Sequence, residues 1–163
     1  MGRRQEADDR TGFDATRNYL SDALGRVVPE RVARRAVTLD VETDRAEYAR
    51  GESVAITVRM RNRLPIPVEL ETVTRRPWGW RVDGVLEASA EQRYVRTEPA
   101  VVRFRAGETK TTTVTWNGRF RRPTDEGLDR SVLAEPGDHT VSAFLPVDDP
   151  RPHHEDATRI RIR

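Results

Sequence analysis

The chain's fullest set of metal-ligating side chains is in VDDPRPHHEDA, where Asp148, Asp149, His153, His154, Glu155 and Asp156 crowd into nine residues. Imidazoles and carboxylates hold zinc and other divalent ions. Neighbours on an extended chain point to opposite faces, however, so His153 and His154 do not aim at one ion together. The segment reads as a solvated turn, and no metal is expected. A second candidate is RRPWGWRVDG, which places Trp78 and Trp80 two positions apart after Arg75, Arg76 and Pro77. Residues i and i+2 of a strand share a side, so the two indoles form either part of a core or an aromatic platform. Trp80 is in register with Val82 and is expected inside. Trp78 is nearer a loop, where it either packs inward or serves as a binding anchor with Arg75 and Arg76 as its polar rim. The third candidate is Leu64, Pro65, Ile66 and Pro67, an apolar loop stiffened by two prolines. Such a loop loses little entropy on binding. It is read either as a docking loop or as a plug for the end of a domain.

No stretch carries a nucleophile elbow, a phosphate-cradling glycine loop or an HExxH helix. The 163 residues include no cysteine, which excludes disulfides, thiolate metal sites and thiol catalysis. No residue is therefore given a catalytic, cofactor-binding or metal-binding role, and the chain is not expected to be an enzyme.

Charged residues make up 34% of the chain, yet the net charge is only +2. Interleaved signs argue for a solvated surface and against a concentrated field for nucleic acid. Lys110 is the only lysine among 29 basic residues. No apolar run approaches the ~20 residues of a membrane helix, and the N-terminus lacks the apolar core of a signal peptide. A cytoplasmic location is the expectation.

The elements that position these candidates follow from hydrophobic period. Residues 1–12 are polar, without periodicity, and are expected to be disordered. Residues 13–35 form an amphipathic helical segment, with Phe13, Leu20, Leu24 and Val27 or Val28 on one face and a short turn led by Pro29 and Glu30. From residue 36 to 163 the period becomes two. Val37, Leu39 and Val41 alternate with polar residues, as do Val54, Ile56, Val58 and Met60. WRVDGVLE reads as a hairpin with Asp83-Gly84 in a primed turn. VVRFRAGETKTTTVTWNG is a strand, turn, strand unit. In PGDHTVSAFL the inward set is either Val141, Ala143 and Leu145 or Thr140, Ser142 and Phe144. RIRIR closes the chain as a strand. The segment 119–138 has the weakest pattern and is expected to be a long loop. Short strands at frequent turn signals predict an all-β fold, an immunoglobulin-like antiparallel β-sandwich of about 7–9 strands with a short N-terminal helical segment.

The succession AITVRMRN, LPIPVEL, WRVDG, FRAGETKTTTVTWNG and PGDHTVSAFL resembles the bacterial intracellular proteinase inhibitor (BsuPI-type) family and related uncharacterised haloarchaeal domains. The resemblance covers residues 37–163. His139 departs from it, since such domains often carry tyrosine at this turn. The resemblance implies a non-enzymatic protein-binding module that acts through sandwich loops, with a protease as one partner class; the contacts expected from the residues themselves are Leu64, Pro65, Ile66, Pro67, Arg75, Arg76 and Trp78. No nucleic acid, membrane or cofactor is expected as a partner, and the chain is expected to be a monomer or weak homo-oligomer. The alternative is a structural or assembly domain that docks or oligomerises through its N-terminal helix.

Overall fold

A computed structural model describes residues 28–89, 97–124 and 129–163. The expected disorder of residues 1–12 and the apolar face of Phe13, Leu20 and Leu24 lie outside the described residues. Helix α1 (Glu30–Ala36) follows Pro29, with Glu30 in its first turn and Arg34 and Arg35 in its last. These charges complement the helix dipole. Its inner face is two buried alanines, Ala33 and Ala36. Their small side chains let the helix lie close to the sheets.

Strand β1 (Val37–Thr43) starts directly after α1 and pairs antiparallel with β3 (Val54–Asn62). In this register Leu39 lies opposite Met60 and Val41 opposite Val58, all buried. A slip by one residue would turn Arg59 and Arg61 inward, so the alternation fixes the pairing. On the other side of β3 lies β8 (Thr109–Trp116), completing a three-stranded sheet.

The second sheet has the order β2-β12-β11-β5-β6. Its strands are β2 (Glu47–Tyr48), β5 (Gly79–Val82), β6 (Val85–Leu86), β11 (Gly137–Phe144) and β12 (Glu155–Ile162). Strand β2 pairs parallel with β12, whereas β1 pairs with β3, so the chain changes sheets at the bend after Thr43. The two sheets enclose one core, to which Ile56, Val58, Val82, Val141, Ala143 and Ile160 contribute. This is an immunoglobulin-like antiparallel β-sandwich.

Two smaller pairings flank it: β4 (Val68–Thr72) with β7 (Ala100–Phe104), and β9 (Arg119–Pro123) with β10 (Asp129–Leu133). Eight strands remain among the described residues when the two-residue strands β2 and β6 and the β9–β10 hairpin are set aside. That hairpin corrects the long loop expected over 119–138. Its only apolar cross-strand pair is Phe120 with Val132, and arginines fill four of the other eight positions. One such pair is too little alternation to announce two strands. Strands β7 and β8 are joined at Gly107 but pair in different sheets. In β11 and just beyond it, Val141, Ala143 and Leu145 are the inward set, and Ser142 is also buried.

Candidate functional site

The Leu64–Pro67 loop is built on one side chain. Asn62 ends β3 and is fully buried. Its Nδ2 donates to the carbonyls of Ile66 at 2.8 Å and Arg105 at 2.9 Å, and its Oδ1 accepts from the Leu64 amide at 3.0 Å. The Gly107 amide adds a bond to the Leu64 carbonyl at 2.8 Å. The loop and the β7–β8 turn are thus tied into one unit. Within it Leu64 packs on the core, while Pro65 and Ile66 are exposed. The loop is both plug and tip, divided residue by residue. Among the described residues three large hydrophobics are exposed: Ile66, Val32 of α1 and Val101 of β7.

Trp78, Gly79 and Trp80 owe their spacing to Phe144. The Phe144 ring lies over Gly79, where a Cβ would come within 2.5 Å of it, and the Arg81 guanidinium covers the ring at 3.8 Å. Both tryptophans are half-buried against the core. Trp80 faces the core with Val82, opposite Ala143 and Val141, but does not reach the full burial that this register suggests; Gly79 is buried on the other face beneath Phe144. Arg75 pairs with Glu98 at 2.6 Å, and Arg76 pairs with Glu87. The two arginines read as a rim for a partner are engaged within the chain. They follow β4 while the Leu64–Pro67 loop precedes it, and five strand residues span roughly 17 Å. The candidates thus form two places and not one patch.

His153 and His154 converge on a backbone carbonyl. Both Nε2 atoms meet the Arg34 oxygen, at 2.9 and 2.6 Å, near the end of α1. The Arg151 amide donates to His154 Nδ1 at 3.0 Å. His154 is therefore neutral with its proton on Nε2, and burial pushes its pKa below the ordinary value. Both Nε2 atoms are occupied in holding the helix, and His154 Nδ1 is taken by the Arg151 amide. Among the described residues no group of three or more ligating side chains is assembled for an ion.

At the opposite end of β11 lies a pair that resembles part of a catalytic triad. His139 Nδ1 is 2.6 Å from Asp83 Oδ2. Its Nε2, however, is 2.7 Å from the Glu135 carbonyl. The nitrogen a general base would turn toward a substrate is thus already occupied. Burial works to lower the His139 pKa, but the Glu135 carbonyl and the Asp83 carboxylate together outweigh it and raise the value. An edge contact with Trp116 and a tilted contact with Phe120 complete the cluster, each ring centroid 6.3 Å away.

With this geometry established, comparison with protein families places the chain. A family model matches residues 25–163. The chain belongs to the Family of unknown function (DUF7974). No curated protein matches it. Among solved structures, the CARDB domain of a Pyrococcus furiosus protein is similar over 78% of this chain and 94% of its own, with 11% identity and a TM-score of 0.47. A β-glucosidase from Erythrobacter marinus is similar over 78% of this chain, with 15% identity and a TM-score of 0.47. For a β-glucosidase from Listeria innocua the values are 77%, 17% and 0.44. The chain spans only 15–16% of the length of these two enzymes.

In this DUF7974 chain two residues legible in the sequence as punctuation, Asn62 and Asp83, have organising bonds that the sequence did not reveal. Asn62 had a signal, an asparagine closing an alternating strand just before a proline-stiffened loop. Asp83 was recognised as a turn residue, but its partnership with His139, 56 positions away, had no local trace.

Proposed function

We propose that the protein is a non-enzymatic protein-binding module whose principal contact is the Leu64–Pro67 loop. The observation that carries this reading is the three-bond hold of Asn62, which fixes the loop backbone while Pro65 and Ile66 remain exposed. A preorganised apolar tip gives up little conformational entropy when it docks. The partner class suggested by the BsuPI-type resemblance is an intracellular protease, with the loop occupying or blocking a substrate groove. Trp78 is a secondary contact, since its ring is half-buried and its flanking arginines are committed to Glu98 and Glu87.

The test uses the purified full chain with a panel of intracellular serine proteases. Inhibition that saturates at a defined stoichiometry, and that Ile66→Glu abolishes without lowering the melting temperature, is the expected outcome. Absence of inhibition at a large molar excess removes the protease. A photoreactive residue at position 65, used in the native cell and compared with one at Lys110, then tests the binding reading alone. Equal cross-linking from both positions overturns the loop as the contact.

A further inference from the structure

The geometry points to a pH-dependent latch at the hairpin end of the sandwich, in which the imidazolium of His139 locks the Asp83-Gly84 turn to the β10–β11 connection and releases it on deprotonation. The inference is independent of the loop proposed above as a binding site.

The protonation state follows from the partners. A carbonyl oxygen only accepts, so the 2.7 Å contact with Glu135 requires a proton on Nε2. Asp83 Oδ2 faces Nδ1 at 2.6 Å, while Asp83 Oδ1 accepts the Thr140 amide at 2.8 Å. A carboxylate only accepts, so the Nδ1 that faces it also carries a proton. Only the doubly protonated ring satisfies both neighbours. His154 is the internal contrast, since it accepts one bond and donates one and is complete when neutral.

The surrounding charges leave this pair as the element that responds. Within the β10–β11 connection, the Glu135 carboxylate is held by Arg50 at 3.0 Å. On β11, Asp138 pairs with Arg161 of β12 at 3.2 Å. Across the register, Ile160 of β12 lies opposite His139 and offers no charge. From β9, Arg121 and Arg122 line the cleft beside His139, and Asp138 adds to the attraction that favours its proton. Asp83 is thus the carboxylate in direct contact with the ring. Loss of the proton leaves one ring nitrogen presenting a lone pair to an acceptor, which removes a bond and adds repulsion.

What the latch holds is defined by the same contacts. Asp83 exchanges backbone and side-chain bonds with Thr140, fastening the β5–β6 hairpin to β11. Glu135 lies between the latch and the anchor at Arg50. Between the β5–β6 and β9–β10 hairpins is a cleft of about 380 Å³, with Val85 on one wall and Phe120, Val132 and Leu133 on the other. Deprotonation frees the Asp83-Gly84 wall of this cleft. A histidine with a raised folded-state pKa stabilises fully below its unfolded value, near 6.5, and that contribution is lost as pH rises through the folded value.

The experiment is an NMR titration of the full chain, following the three histidine rings and the Gly84 and Thr140 amides, in the native sequence and in Asp83→Asn. The expected result is a His139 midpoint above 6.5, moved down by Asp83→Asn, with the Gly84 and Thr140 amides shifting at the ring's own midpoint. A His139 midpoint at or below 6.5 overturns the latch. So does a midpoint that Asp83→Asn leaves in place, or a pair of amides unmoved by the titration. The native chain alone decides the first and third points if the variant fails to fold.

Discussion

Two turns at opposite ends of the sandwich are each pinned by one polar side chain, and the two pins differ in kind. Asn62 is neutral and fully buried, and it serves the Leu64–Pro67 loop with two donors and one acceptor. His139 is ionised, sits at the rim of a cleft, and serves the Asp83-Gly84 turn through a charge. An amide keeps its donors and acceptor at every ordinary pH, so the first loop holds a constant shape. An imidazole changes its inventory near neutrality, so the second turn answers to conditions. A contact surface that must always be ready suits the first pin, and a conditional element suits the second.

The strongest way to break this comparison is to remove the constant pin. Asn62→Leu fills the space but strands the carbonyl of Ile66 and the amide of Leu64, and leaves the Arg105 carbonyl only its bond from the Glu108 amide. Each polar group left without a partner costs about 1–3 kcal/mol, so for two such groups a loss of about 2–6 kcal/mol is expected. Urea unfolding at pH 6, 7 and 8 checks it. The loss should be the same at all three values, because no titrating group enters. A loss that varies with pH would show the two ends to be coupled.

A third pin sharpens the contrast, because His154 titrates in the opposite sense to His139. Its pKa lies below 6.5 when folded, with burial as the largest cause, opposed by the Arg34 carbonyl and aided by repulsion from His153, Arg34 and Arg151. The unfolded chain then binds a proton that the folded chain refuses. Stability contributed by neutral His154 is present above 6.5 and is lost as pH falls below it. His154→Gln should cost about 2 kcal/mol at pH 7 through the lost carbonyl bond and imperfect packing, and should flatten the decline in stability between pH 6.5 and 5. Unfolding curves of the two chains across that range give the answer.

The sequence made these pins visible to different degrees. Alternation in AITVRM and RIRIR announced the sandwich because each strand has one wet and one buried face. Asp83-Gly84 announced its turn through the positive φ of both residues, 50° and 79°. The metal-like crowding at His153 and His154 was misleading as chemistry, since its purpose depends on a carbonyl 119 and 120 positions away. The β9–β10 hairpin was hidden because its outward arginines give no apolar period. Pins that join distant segments leave no local pattern, and Gly79 shows the same limit. Its need for a bare backbone is set by Phe144, 65 residues later in the chain but adjacent in the register.

The smallest effects test whether the constant loop is divided into plug and tip. Leu64 and Ile66 are two residues apart in one loop, yet Leu64 packs on the core and Ile66 is among the exposed large hydrophobics at 37%. Leu64→Ala removes buried apolar surface and should cost about 1–2 kcal/mol. Ile66→Ser leaves the backbone bonds of Asn62 intact, because they end on the Ile66 carbonyl and not on its side chain. Its cost to stability should be below about 1 kcal/mol, the range of a partly exposed position away from the core. Thermal melts of the two variants are the measurement. If Ile66→Ser destabilises as much as Leu64→Ala, both residues are plug, and the tip loses its claim as a contact. If it leaves the melt unchanged and still weakens capture of a partner, the exposed side chain is kept for binding and the buried amide beneath it for shape.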